Sequence, residues 1–133
     1  MPKTTTTTES YALLLRTDGT FELLDWPNGT HVHLNTLYKA IGCQNVAAVD
    51  ITDKLTMWLD DEGLYNGSVV NRPATLLYAA HQPPHQLYYG HAVITGGTDR
   101  HGNTLGLTRD QVLELVEHHL MTLDIPIPAQ RTN

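Results

Sequence analysis

Histidine is the residue type here with the most chemical potential, and the chain carries eight. His31-Val32-His33 would turn both rings to one side if that segment were extended, although it lies between a turn signal and a helical pattern. His81 and His85 have the i, i+4 spacing of a metal pair on a helix, but Pro83-Pro84 lies between them and a helix cannot run through it. His118 and His119 are helical neighbours whose rings point about 100° apart. None of these pairs comes with a CxxC, a third clustered histidine or an H-E-x-x-H. Catalytic zinc takes about three protein ligands and a water, so the expectation is no metal, no cofactor and no catalytic set, with histidines at the surface or its boundary.

Four further places could carry chemistry. Cys43 follows the expected end of a helix, where the dipole disfavours a thiolate, so it reads as a small packed residue. Gly96-Gly97 has the look of a phosphate loop, which needs a following helix N-terminus; no helix is expected until Thr108, and a long hairpin turn fits better. The tip of that turn places Asp99, Arg100 and His101 together, and loops on rigid sheets often carry function. Asn71-Arg72-Pro73 is the other contact candidate: Asn71 would cap a helix opened by Pro73, and Arg72 could reach a carboxylate or phosphate. The alternative there is structural, a cap beside a solvated arginine. Tyr88 and Tyr89 point to opposite faces of a strand, which leaves Tyr89 available for a partner.

The elements that position these residues follow from periodicity and turn chemistry. Tyr11 to Thr17, Asp18-Gly19 and Thr20 to Trp26 make a hairpin signal, with Phe21, Leu23 and Asp25 on one face and Glu22, Leu24 and Trp26 on the other. Leu34, Leu37, Tyr38 and Ile41 share one helical face, and Gly42 stands where a left-handed C-cap belongs. Asn45 to Thr52 and Leu55 to Leu59 form a second hairpin. Asn28-Gly29 and Asn66-Gly67 read as turns. Ala74 to Ala80 supplies a brief helix, His81 to His85 a loop, Leu87 to Thr95 a strand, and Thr104 to Leu107 a short return strand. Thr108-Arg109-Asp110-Gln111 is a capping box, opening a helix whose Val112, Leu113, Val116, Leu120 and Leu123 pack on the sheet. The expected fold is α+β: a small, mainly antiparallel sheet of five or six strands with two or three helices, the last on the sheet. Residues 1–10 form a disordered Thr-rich tail, 11–124 a single domain, and 125–133 an extended tail containing Pro126 and Pro128.

Composition excludes more than it selects. The chain has 133 residues, 8 Lys plus Arg against 14 Asp plus Glu, and a net charge of −6. No two basic residues adjoin, so there is no stripe to displace counterions from phosphates, and no nucleic-acid partner is expected. Charged residues are only 17%, too few for an acidic mimic of DNA. No apolar run approaches the roughly 18 residues of a membrane span, no secretory signal opens the chain, and one cysteine excludes an internal disulfide. A cytoplasmic location is expected.

Four segments recur in an order that resembles one family: LLLRTDGTFELLDWP, then AIGC followed by NVAAVDIT, then LTMWLDDEGLYNGSVVNRPATLLY, then YYGHAVITGG with LTRDQ. The family is domain of unknown function 3846, found in phages, plasmids and actinobacteria. The likeness covers about residues 11–110. It rests on the Asp18-Gly19 hairpin, the turn at Asp60 to Gly63, the Asn71 to Ala74 segment and the Gly90 to Gly96 strand. The resemblance implies a small α+β domain from a phage or mobile element and no established activity, so no catalytic residues are carried over. The chain departs from the pattern in its Thr tail, in the stretch from His81 to His85, in its long last helix and in Cys43, where the pattern has a second glycine.

The resulting expectation is a non-enzymatic binding module, an accessory protein that contacts a host protein in an anti-defence or host-takeover role. The alternative is a small-ligand binder that sequesters a nucleotide signal, with Asn71, Arg72, Arg100 and the Gly96-Gly97 turn lining a site that could span a homodimer. A metal-dependent hydrolase stands third.

Overall fold

The computed structural model describes residues 10–26, 30–63, 68–83 and 87–122. Five strands form one antiparallel sheet: β1 Tyr11–Leu15, β2 Phe21–Asp25, β3 Val46–Thr52, β4 Leu55–Asp60 and β5 Ala92–Gly96. Three helices accompany them: α1 Thr30–Ile41, α2 Arg72–Ala79 and α3 Arg109–Met121. The spatial order is β2-β1-β5-β4-β3, so the last of the described strands fills the gap between two hairpins.

Burial explains the sequence of each central strand. All of β5 is buried, as is β1 from Ala12 onward, and a strand buried on both faces shows no polar alternation. Ala12, Leu14 and Val93 face one side, where Leu37 and Ile41 of α1 and the buried Trp26 cover them. Leu13, Leu15, Met57 and Ile94 face the other, against Leu77 of α2 and Val112 and Leu115 of α3. The result is three layers, with α1 on one face and α2 plus α3 on the other. Each fully buried leucine contributes about 2 kcal/mol by leaving water.

Local chemistry fixes the element ends. Asp18-Gly19 closes the first hairpin with Gly19 at φ 91° and Arg16 N–H donating to the Thr20 carbonyl at 2.9 Å. Gly42, at φ 80°, ends α1 in the left-handed region. Thr108 accepts from Gln111 N–H at 3.1 Å while the Gln111 carbonyl oxygen accepts from Thr108 N–H at 2.9 Å, which completes the capping box and contributes about 1 kcal/mol.

The structure departs from the sequence reading in four places. α1 begins at Thr30 rather than Leu34, so His31 to His33 are helical, not extended. β5 begins at Ala92 rather than Leu87, because Gly90 adopts φ 82° and breaks the extended run; Tyr89 keeps only an isolated bridge to Val70. Thr104 to Leu107 forms no strand and is held by bridges from Thr104 to Thr98 and from Leu107 to Tyr11. On α3 the buried residues are Val112, Leu115 and His119, whereas Leu113 and Leu120, expected on the sheet, are exposed. The expected tails, except Ser10, the Asn28-Gly29 and Asn66-Gly67 turns, His85 and Leu123 lie outside the described residues.

Candidate functional site

The candidate contact residues fall into two groups at opposite ends of β5. Asn71, Arg72 and Tyr89 sit before its start, and Asp99, Arg100 and His101 follow its end. Four residue steps of extended chain separate the ends by about 13 Å, so the six residues do not converge on one ligand.

Asn71 is 0% exposed. Its amide nitrogen donates to the carbonyls of Leu15 at 2.9 Å and Gly90 at 2.8 Å, and its amide oxygen accepts from Ala74 N–H at 3.0 Å. Both amide hydrogens are thus committed, tying the end of β1, the Gly90 turn and the N-terminus of α2 into one joint. Thr75 reinforces it: its hydroxyl donates to the Asn71 carbonyl and accepts from Tyr88 N–H. Arg72, half-buried, lines a cavity of about 280 Å³ with the Thr17 to Thr20 turn, Leu76, His119 and Thr122. Tyr89 is half-buried. Its neighbour Tyr88 is the core residue, its hydroxyl pushed up to about 12 by burial and by Tyr78, whose ring lies 5.2 Å away.

At the other end, Asp99 organises its own turn. Its carboxylate accepts from the backbone N–H groups of His101 at 2.8 Å and Asn103 at 2.9 Å. Those bonds, with the Asn103 backbone contribution largest, lower its pKa. Arg100 and His101 are exposed. The preceding Gly96-Gly97 pair serves close backbone packing: a Cβ at Gly96 would meet the Gly106 carbonyl at 2.7 Å, and one at Gly97 would collide with the Asp53 carbonyl. Carbonyl oxygens facing the glycines are the opposite of a phosphate cradle, which presents N–H groups.

Cys43 is half-buried, and burial, with Asp60 second, raises its pKa, which keeps the thiol protonated and a poor nucleophile. The histidines pair in a way that sequence spacing does not show. His81, past the end of α2, and His118 of α3 share a groove of about 480 Å³ with Lys54, Gln111, Glu114 and an apolar floor of Leu55, Leu77 and Leu115. Burial, then the charges of His81 and His119, hold His118 below the ordinary histidine value of 6.5. The His81 Nδ1 lies 3.2 Å from the Leu77 carbonyl; a carbonyl only accepts, so this nitrogen carries the proton and Nε2 is the free acceptor of the neutral ring. Among the described residues no group of three or more His, Cys, Asp or Glu is placed to hold a metal ion.

The feature the sequence reading missed is an apolar strip beside β2. Phe21 and Leu23 on β2, with Leu113 and Leu120 on α3, are all more than a third exposed, and Met121 is 73% exposed. Leu23, Tyr11, Arg109, Val112 and Leu113 line a groove of about 240 Å³ between strand and helix. The signal lay in α3 itself: at 100° per residue its apolar positions, from Leu115 through Val112 and Val116 to Leu113, sweep about 160°, against the ~100° that one buried stripe requires.

A model of domain of unknown function 3846 (DUF3846) matches residues 9–120. The chain belongs to that family. The DUF3846 match spans both hairpins, the Asn71 joint, β5 and nearly all of α3, so the three-layer architecture described above lies almost wholly within it. No curated protein and no solved structure matches the chain.

Proposed function

We propose that this DUF3846 domain is a non-enzymatic protein-binding module that docks its partner on the apolar strip formed by β2 and α3. The observation that carries this reading is the exposure of Leu23 and Leu113 around one groove, with Leu120 exposed two turns further along the same row of α3. Their exposed area, with Phe21 and Met121, comes to about 500 Å², within the range of the largest apolar patch on a monomer, which is often functional. The six contact candidates, divided between the two ends of β5, share no cleft in which an acid and a base could act together. No described helix is long and apolar enough to cross a membrane. The proposed partner is a cytoplasmic host protein, met in an anti-defence or host-takeover role, as the phage and plasmid distribution implied by the family resemblance suggests.

The test is affinity capture from host lysates with wild-type bait and a Leu113→Glu/Leu120→Glu variant. Both positions are exposed, so thermal stability should be little changed. The expected result is a partner retained by the wild type and lost on the variant. Equal retention by both, or no specific partner across hosts, overturns the reading.

A second reading is favoured by the His81 and His118 groove, whose volume falls within the roughly 300–1,000 Å³ of small-ligand pockets. Lys54 would meet an anionic group over the leucine floor, with His81 Nε2 accepting a hydrogen bond from the ligand. Thermal-shift screening against nucleotides tests it, because a ligand at 100 times its Kd adds about 2.7 kcal/mol. No shift across the panel counts against it.

A further inference from the structure

The two edges of the sheet differ. β3, at one edge, has a register irregularity between Asp50 and Thr52, a common way to blunt an edge against pairing. β2, at the other, pairs with β1 without interruption over all five of its residues. The direction of its free backbone groups follows from the ladder. Arg16 N–H bonds to the Thr20 carbonyl and Trp26 N–H to the Ser10 carbonyl. Bonded and non-bonded pairs alternate along an antiparallel ladder. Glu22 and Leu24 therefore bond to β1, and the N–H and C=O groups of Phe21, Leu23 and Asp25 point outward. Those three residues also share the side-chain face that carries α3, as the edge-to-face contact of Phe21 with His119 shows.

We infer that β2 accepts an added strand from a partner protein, an extended segment with apolar side chains facing Phe21 and Leu23 and a lysine or arginine facing Asp25. This inference rests on the protein-binding reading and specifies its geometry. A strand paired to this edge would make main-chain bonds at Phe21, Leu23 and Asp25. Its alternate side chains would stand on the same side as Leu113 and Leu120, the usual division between backbone affinity and pocket specificity. Charge decides the partner chemistry. Asp25 is exposed at one end of the strand and Asp18 at the other, and Asp110 and Glu117 flank the leucine row of α3. Hydrogen bonds from Thr20 lower the pKa of Asp18. Arg16 is tied to Glu22 by an ion pair, Arg72 lines the cavity beside Asp18, and Arg109 is the basic side chain lining the groove, so the acidic end of the edge lies at Asp25. An acidic rim around an apolar centre favours a basic strand and disfavours a second copy of this chain, whose net charge is −6.

The test uses the full chain and two nine-residue peptides with valine at alternate positions and threonine between, one ended by lysines and one by glutamates. Amide exchange and anisotropy are read for wild type, Leu23→Ala and Leu23→Pro. The last two lose the same side chain, and only proline loses the outward N–H, a loss that edge strands tolerate. The lysine-ended peptide should slow exchange at Leu23 and Asp25, bind Leu23→Pro about tenfold more weakly than Leu23→Ala, and bind wild type about tenfold more tightly than its glutamate twin. Should Leu23→Pro fail to fold, lysine-ended peptides N-methylated on odd or on even amides replace it: only one set should lose binding, since a strand presents one edge. Equal binding of both peptides, of both variants or of both methylated sets overturns strand addition. Edge amides already protected in the chain alone also overturn it, assigning the edge to a second copy at dimer mass or to the chain itself at monomer mass. Capture that depends on Leu113 and Leu120 but not on the Leu23 amide would sink strand addition and leave the protein-binding reading standing.

Discussion

The Nε2 of His119 lies 2.8 Å from the carbonyl oxygen of Gly19, one hundred residues away. A carbonyl cannot donate, so Nε2 holds the proton and donates it to Gly19. This bond fastens the last turn of α3 to the β1–β2 turn, and Phe21 packs edge-on against the same ring with centroids 5.3 Å apart.

His119→Ala should therefore cost about 2 kcal/mol, combining a buried hydrogen bond with an aromatic contact. Urea denaturation measures the loss. Nitrogen chemical shifts of the imidazole should report the Nε2–H tautomer; the Nδ1–H tautomer would contradict the geometry.

Asn71 is a joint, and its replacement should be among the most damaging single changes. Asn71→Leu removes the α2 cap and strands the carbonyls of Leu15 and Gly90, an expected loss of about 3 kcal/mol. Asn71→Asp keeps the cap acceptor but aims a carboxylate at two carbonyls. Folding then raises the carboxyl pKa and favours its protonated form, so this variant should gain stability as pH falls through the carboxylate range. A variant whose stability is flat there refutes the account.

The glycines divide into two kinds. Gly102 has φ 84° and open space around its Cα, so Gly102→Ala should cost only the left-handed backbone penalty of about 1 kcal/mol. At Gly97 a Cβ meets the Asp53 backbone, so Gly97→Ala should cost about 3 kcal/mol or more, since backbone cannot turn aside as a side chain can. Comparable melting temperatures for the two variants would count against this division.

His118 should titrate below 6.5, because burial disfavours its charged form. The unfolded chain then takes up the proton first. The stability tied to this group is complete above 6.5 and is lost as pH falls through its lower folded value. The stability difference between pH 7.5 and 5.5 should shrink in His118→Gln relative to wild type, and the ring proton shift in NMR should give the lowered value directly.

The first hairpin, the capping box and the Gly42 cap were legible because each depends on neighbours within a few residues. Asn71 was legible as a cap through Pro73, yet its bonds to Leu15 and Gly90 were not, since the chain separations of 56 and 19 residues leave no local signature. Tyr89 reads as strand until Gly90, whose left-handed backbone depends on the same joint. The His81 and His118 groove arises only when α2 and α3 pack side by side. Helical spacing gives a face and not its orientation, so it does not reveal that Leu113 and Leu120 are exposed. His119, polar by type, took the buried position by finding a carbonyl.

The placement of β5 bears on how the molecule is made. As the chain leaves the ribosome, its two hairpins emerge well before the segment that lies between them. Neither can rest against the other until residue 96 is free of the exit tunnel, so the sheet closes late, through contacts between distant parts of the chain. Until that moment the nascent chain shows β1 and β4 as naked edges, and a chaperone or a premature stop before β5 would meet two halves and no domain.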